Sequence, residues 1–167
     1  MLPLTRQTLM QRLADMDIRV ATIDHAPAFT VAESAVIHDA IPGGHTKNLF
    51  LRDARGACIL VVAHIATRID LKGLANVIGS GRLSFARAEE LSERLGVAPG
   101  SVTAFALAND TDRHVRVIFD RILLAFGVIN LHPLENSATT SIARDDLLRF
   151  IHATGHHVEF VDLAPDH

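Results

Sequence analysis

Lys47-Asn48-Leu49-Phe50-Leu51-Arg52 and Ala57-Cys58-Ile59-Leu60-Val61-Val62-Ala63-His64 are two runs of strand formers separated by the turn-like Asp53-Ala54-Arg55-Gly56. Together they read as a β-hairpin. Upstream, Pro42-Gly43-Gly44 breaks the chain where glycine alone tolerates unusual dihedrals and lets backbone approach a ligand. Thr30 and Glu33 have capping-box spacing, so Val31 to Ile37 is expected as a short helix. Before it, Leu9, Leu13 and Met16 recur at helical spacing, and Arg19 to Asp24 reads as a strand.

Downstream, Asp70 is placed to cap a helix with Leu71, Leu74 and Ile78 on its buried face and Gly79 at its end. Arg82 to Phe85 is a short strand, and Ala88, Leu91 and Leu95 mark a helix stopped by Gly96. A loop after Pro99-Gly100 leads to a strong strand at Val115 to Phe119; the apolar stretch Ile122 to Ile129 fits helix or strand. Thr139 to Ile142 looks extended, Leu147, Leu148 and Ile151 form the face of a last helix closed by Gly155, and Val158 to Val161 is a closing strand. Helices and strands interleave irregularly. The expected fold is therefore α+β, a single domain over residues 1–167 with a mixed β-sheet and surrounding helices.

Composition narrows the function. Hydrophobic residues make up 49% and charged ones 21%, the balance of a globular domain. No apolar run approaches the roughly 20 residues that span a bilayer, and Met1 to Met16 is too polar for a secretory signal, so no membrane association and a cytoplasmic location are expected. Cys58 is the only cysteine, which excludes internal disulfides and four-thiolate zinc sites. A net charge of -3 argues against coating nucleic acid through bulk positive potential but leaves contact with one RNA end open.

Familiar catalytic signatures are missing: no G-x-S-x-G elbow, P-loop, H-E-x-x-H or dinucleotide fingerprint. His152, His156 and His157 lie close in sequence, but Gly155 interrupts their helix, and solvated helix-end histidines are the simpler reading than a metal site. Cys58 opens the run Ile59 to Val62 and reads as a small buried hydrophobe, not a nucleophile. Two polar clusters stand out. Gly43-Gly44-His45-Thr46-Lys47-Asn48 delivers a lysine and an asparagine at the start of an apolar strand, and His132 to Thr140 forms a polar loop between apolar segments. As residues alone they fit equally a hairpin lead-in with a solvated lysine and a loop of turn formers.

The run Pro42-Gly43-Gly44-His45-Thr46-Lys47-Asn48-Leu49-Phe50-Leu51-Arg52-Asp53 resembles the PGGHTKNLFL-type segment of the prolyl-tRNA editing, YbaK-like superfamily, in particular its alanine-specific trans-editing branch. Gly96-Val97-Ala98-Pro99-Gly100-Ser101-Val102-Thr103 resembles that family's G-V-x-P-G-x-V-T loop, and His132-Pro133 with Asn136 and Ala138-Thr139-Thr140 resembles its F-H-P-x-x-N-x-A-T-T segment. The likeness runs from about Asp24 to Leu163. Ala104 and Leu131 depart from it, standing where a proline and a phenylalanine are usual.

The resemblance implies a deacylase that removes a small wrong amino acid, alanine foremost, from tRNA for proline, without metal or cofactor. Such an enzyme answers a physical limit. A synthetase pocket sized for proline cannot exclude alanine, because one missing methylene is worth only about 1–3 kcal/mol, so a second, smaller sieve must destroy the error. By the same resemblance Lys47 holds the ribose or phosphate end and supports charge developing on the ester, Asn48 helps orient that end, and backbone N–H groups around Gly100 and Ser101 offer oxyanion contacts. His132 edges the amino-acid pocket. Gly43, Gly44, His45, Thr46, Asn136 and Thr139 complete the substrate-binding set.

The expected partners are the acceptor end of aminoacylated tRNA and prolyl-tRNA synthetase. Arg68, Lys72 and Arg82 are candidate contacts to the acceptor end, although solvated surface charge explains each equally well. Competing readings are a deacylase for another small aminoacyl group such as serine, a non-catalytic tRNA- or synthetase-binding module, and a structural domain without salt-dependent RNA affinity.

Overall fold

A computed structural model describes residues 2–27 and 31–163. The hairpin forms as expected. Strand β2, Gly44–Asp53, pairs antiparallel with β3, Cys58–His64, so that Lys47 faces Ala63 and Leu51 faces Ile59. The Asp53 carboxylate accepts the backbone N–H groups of Arg55 and Ala57, closing the turn that sets this register.

Six further strands complete one mixed sheet: β1 (Val20–Asp24), β4 (Leu83–Phe85), β5 (Val115–Asp120), β6 (Val128–Leu131), β7 (Ala138–Ala143) and β8 (Val158–Val161). Their order is β1-β7-β6-β2-β3-β5-β8, with β4 also on β2. Strands β3, β5 and β8 run parallel to their neighbours in the line β3-β5-β8. This central part is covered on both faces, which is why β3 reads as continuous Cys58-Ile59-Leu60-Val61-Val62-Ala63 with no polar alternation.

The period of two along β3 sorts that run into two cores. Leu60 and Val62 join the larger one with Leu9 and Leu13 of α1 (Arg6–Asp15), Leu91 and Leu95 of α4 (Ala88–Leu95), and Leu147, Phe150 and Ile151 of α5 (Arg144–Ala153). Ile59, Val61 and Ala63 face Leu74 and Ile78 of α3 (Leu71–Ile78). The Asp70 carboxylate accepts the Lys72 and Gly73 N–H groups at the start of α3, a cap worth about 1 kcal/mol. Gly79 and Gly96 end α3 and α4 in the left-handed conformation, as the sequence predicts.

Helix α2 spans Val31–Ala40, three residues longer than expected, and the Thr30 half of its predicted capping box lies outside the described residues. The ambiguous stretch divides: Arg121–Ala125 is a 3-10 helix and β6 follows. The segment expected as loop after Pro99-Gly100 contains a second 3-10 helix, Ala104–Asn109, whose Ala104 to Ala108 are all buried in the larger core. Among the described residues no helix is long and apolar enough to cross a membrane.

The feature that matters for function is a split in the sheet. On the edge of β2 away from β3, β6 pairs only with Gly44 and His45, whereas β4 pairs with Leu51 to Asp53. Among the described residues Thr46 to Leu49 have no strand partner on that edge. The chain opens there into a cavity.

Candidate active site

The cavity measures about 530 Å³, within the usual range for a small-molecule site. Strand β2 contributes His45, Thr46, Lys47 and Asn48; β6 and the loop after it contribute Asn130, Leu131, His132 and Asn136; and Thr139 comes from β7. Pro99, Gly100 and Val102 close one side, Ser34, Ile37 and His38 of α2 another, and His25 and Ile65 complete the wall. Successive strand residues point to opposite faces, so Lys47 and Asn48 can both reach one cavity only because the sheet is split beside them.

Among the described residues Lys47 is the one lysine or arginine in this lining, and no Asp or Glu lines it. Among the described residues no carboxylate lies within ion-pair distance of its ammonium, which leaves the charge available to an anionic or polarised ligand. Beside it, the buried Asn48 Oδ1 has no hydrogen-bond partner among the described residues. An orphaned buried acceptor costs about 1–3 kcal/mol, and the side chain that carries this one stands at the cavity wall.

The surrounding polar groups are held in place by one another. Asn130, fully buried, donates its side-chain amide to the Pro42 carbonyl at 3.0 Å, accepts the Ser141 hydroxyl on Oδ1, and takes the Thr46 hydroxyl on its backbone carbonyl at 2.9 Å. It ties the Pro42 break to β6 and β7. His45 donates from Nε2 to the Ile41 carbonyl at 2.7 Å, and its ring lies 4.5 Å from that of His38. Burial, and secondarily the neighbouring His45 ring, hold His38 below the ordinary histidine range.

His132 Nδ1 lies 3.2 Å from the Ala138 carbonyl, which can only accept, so the proton sits on Nδ1 and the Nε2 lone pair remains. Burial lowers the pKa of this imidazole, against the pull of the Ala138 carbonyl, and His25 adds to the lowering. His25 by the same logic donates from Nδ1 to the Ala26 carbonyl at 2.9 Å and accepts the Thr139 hydroxyl on Nε2 at 2.8 Å. Thr139 is thus oriented by a residue 114 positions away.

Of the residues singled out from the sequence, Lys47, His45, Thr46, Asn48, Gly100, His132, Asn136 and Thr139 meet in the cavity. Three do not line it. Ser101 donates its N–H to the Ala98 carbonyl at 3.0 Å, so that donor is engaged in a turn. Gly43 and Gly44 answer to the protein's own packing: a Cβ on Gly43 would stand 2.9 Å from Asn130 and Val128, and one on Gly44 2.8 Å from the Phe126 ring. Gly100 keeps its place at the wall, with φ of +90° accounting for the residue type.

Arg68, Lys72 and Arg82 also lie outside the lining. Arg68 borders a separate groove, Lys72 is exposed on the first turn of α3, and Arg82 precedes the β4 end of β2, about 20 Å along the strand from Lys47 at roughly 3.3 Å per residue. The sequence reading missed His25, Ser34, His38 and Asn130. Asn130 carried a usable signal, a polar residue inside Val128-Ile129-Asn130-Leu131, since such residues are buried only with partners.

The solvated reading of the C-terminal histidines is corrected at His156, which is buried with Nε2 2.8 Å from Asp110 and Nδ1 2.7 Å from the Thr154 hydroxyl. His152 and His157 are exposed. Cys58 is buried as expected, and burial pushes its thiol pKa up. Among the described residues no three His, Cys, Asp or Glu side chains are grouped to hold a metal ion.

Residues 25–150 match the family model of the aminoacyl-tRNA editing domain, and that span contains every residue lining the cavity. The chain belongs to this family. Editing domains of this class are aminoacyl-tRNA deacylases, which hydrolyse the ester joining an amino acid to the terminal ribose. The chain is 36% identical over 159 residues to the prolyl-tRNA editing protein ProX of Acetoanaerobium sticklandii, covering 95% of this chain and 97% of that one. It is 37% identical over 157 residues to prolyl-tRNA synthetase associated domain-containing protein 1 of Bos taurus, covering 90% and 91% of the two. In structure it is similar to a crystal structure of a candidate trans-editing enzyme for prolyl tRNA synthetase, with TM-score 0.68 at 23% identity over 98% of this chain and 99% of that one. At that identity the likeness concerns the editing fold alone.

Proposed function

We propose that this editing domain removes alanine from tRNA for proline, acting in trans in the cytoplasm on the acceptor end of the mischarged tRNA, alongside prolyl-tRNA synthetase. The observation that carries the reading is the pairing of a lysine ammonium with an asparagine oxygen, neither with a partner among the described residues, in a cavity that no described carboxylate lines. The names borne by its ProX and synthetase-associated relatives agree with it.

In the reaction, water adds to the ester carbonyl carbon, the bond from that carbon to the ribose oxygen breaks, and the proton from water ends on the ribose oxygen. An ester needs no strong protein nucleophile. The Lys47 ammonium holds the ribose or phosphate end and opposes negative charge as it grows on the ester oxygen, and the Gly100 N–H offers an oxyanion contact. Asn48 Oδ1 accepts a hydrogen bond from the substrate's hydroxyl or amine. The neighbouring ribose hydroxyl helps activate the water, and the His132 Nε2 lone pair orients it.

Ile37, Ile65, Val102 and Leu131 supply the apolar wall of the cavity, and on this reading they form the sieve that admits a methyl and rejects the proline ring. Leu131 stands where a phenylalanine is usual in the family, and because it lines the cavity it bears on the size limit. Ala104 is buried in the core away from the wall. The test is deacylation of tRNA for proline charged in parallel with alanine, serine or proline. Rapid loss of alanine with proline spared is expected; equal loss of serine would replace the alanine sieve with a broader one, and loss of none would refute hydrolysis.

A further inference from the structure

A second concavity, about 830 Å³, lies beside the first, and the chain passes between them without a gap: Ile65 lines the cavity just described, whereas His64 and Ala66 line the second. Its floor is aromatic. The His64 and Phe126 rings stack with centroids 5.1 Å apart and planes 20° from parallel. Gly44 makes this possible, since only a residue without Cβ lets Phe126 lie so close to β2.

The walls are fixed by Asp120. Its Oδ2 accepts the His64 N–H at 3.0 Å and the Thr67 hydroxyl at 2.7 Å, and its Oδ1 accepts the Ile122 N–H, holding both the turn after β3 and the 3-10 helix that carries Phe126. Val77 and Ile122 leave apolar surface exposed in the groove. Arg68 is exposed at its border with no carboxylate within ion-pair distance among the described residues. Two acids also line it: Asp70, whose carboxylate is engaged in capping α3, and Asp162, exposed and able to accept an exocyclic base amine.

A stacked aromatic pair, an exposed guanidinium that meets no carboxylate among the described residues, and a place next to the lysine cavity are parts from which proteins build single-strand nucleic-acid sites. We propose that this groove is a subsite for the unpaired nucleotides preceding the aminoacylated terminal adenosine, one base stacking on the His64–Phe126 floor and its phosphate meeting Arg68. The inference rests on the editing reading of the neighbouring cavity.

The test compares hydrolysis of 3′-alanyl-adenosine with that of the alanylated trinucleotide CpCpA, the mononucleoside serving as internal reference for each variant. In the unaltered protein the two added nucleotides should raise kcat/KM on the order of ten-fold, as a stacked base does. Phe126→Leu keeps apolar volume without an aromatic face and should lose most of that gain; Arg68→Ala should lose part of it and its salt dependence. Wild-type ratios in both variants would overturn the subsite, including the case in which Phe126→Leu weakens only the capture of prolyl-tRNA synthetase. If the intact protein hydrolyses neither substrate, the editing reading fails. Titration with unacylated CpCpA then decides the groove separately: NMR shifts at His64 and Phe126 that vanish in Phe126→Leu sustain it, and their absence overturns it.

Discussion

Two polar clusters in this protein, one buried and one half-buried, use the same residue types to opposite ends. Around His156 every polar atom has a partner: Nε2 meets Asp110, Nδ1 meets Thr154, and Asp110 also takes the backbone N–H groups of His114 and Val115. Around Lys47 the accounts stay open, with an ammonium that meets no carboxylate and an asparagine oxygen that meets no donor among the described residues. A satisfied network holds a fold together. An unsatisfied one costs stability, and a protein keeps it where a ligand completes it. The difference separates structure from function more sharply than histidine content does, because both clusters contain histidine.

The contrast can be broken at either cluster. Lys47→Ala should reduce deacylation of alanyl-tRNA for proline by about 10²- to 10³-fold, the effect of removing one charge-stabilising donor, with an unchanged melting temperature. Asp110→Ala should do the reverse: a loss of about 3 kcal/mol in urea unfolding, since it strands a buried imidazole and two N–H groups, with near-normal activity at low temperature. Asn48→Ala should lower activity about ten-fold while leaving urea stability equal or higher, because the orphaned acceptor disappears. A clear loss of stability in that variant would place Asn48 in the first class.

The smallest effect is a pH dependence. Burial holds the folded-state pKa of His132 below its ordinary value, and His38 and His64 are lowered for the same leading reason. A depressed folded pKa favours the neutral ring, so the associated stability is fully present above the unfolded value of about 6.5 and is lost as pH falls through the folded one. The urea midpoint should therefore fall between about pH 7 and pH 5, and His132→Gln should flatten part of that fall. An identical profile in the variant would show that His132 does not carry it.

What could be read from the sequence was local. The hairpin, the Asp70 cap and the Gly79 and Gly96 stops each depend on a few adjacent residues, and each is found. The expected site residues that line the cavity cluster in short runs, Lys47-Asn48 and His132 to Thr139. What was illegible depends on pairing across the chain: the parallel ladders of β3, β5 and β8, the split edge of β2, and the burial of Ala104–Asn109. His25 reaches Thr139 across 114 residues, and no periodicity records that contact. The surroundings of Ser101 and Gly43-Gly44 were illegible for a related reason. Their residue types are suited to ligand contact, but only the fold shows that Ala98, Asn130 and Phe126 already occupy those approaches.

The most direct test of the central claim is to locate the ligand. Titration with 3′-alanylamino-3′-deoxyadenosine, whose amide resists hydrolysis, followed by NMR, should shift the signals of Lys47, Asn48, Gly100 and His132 and leave His156 and Asp110 unmoved. Binding with no change at Lys47 and Asn48, or with its largest changes at the His156 cluster, would contradict the assignment of the split-sheet cavity as the editing site.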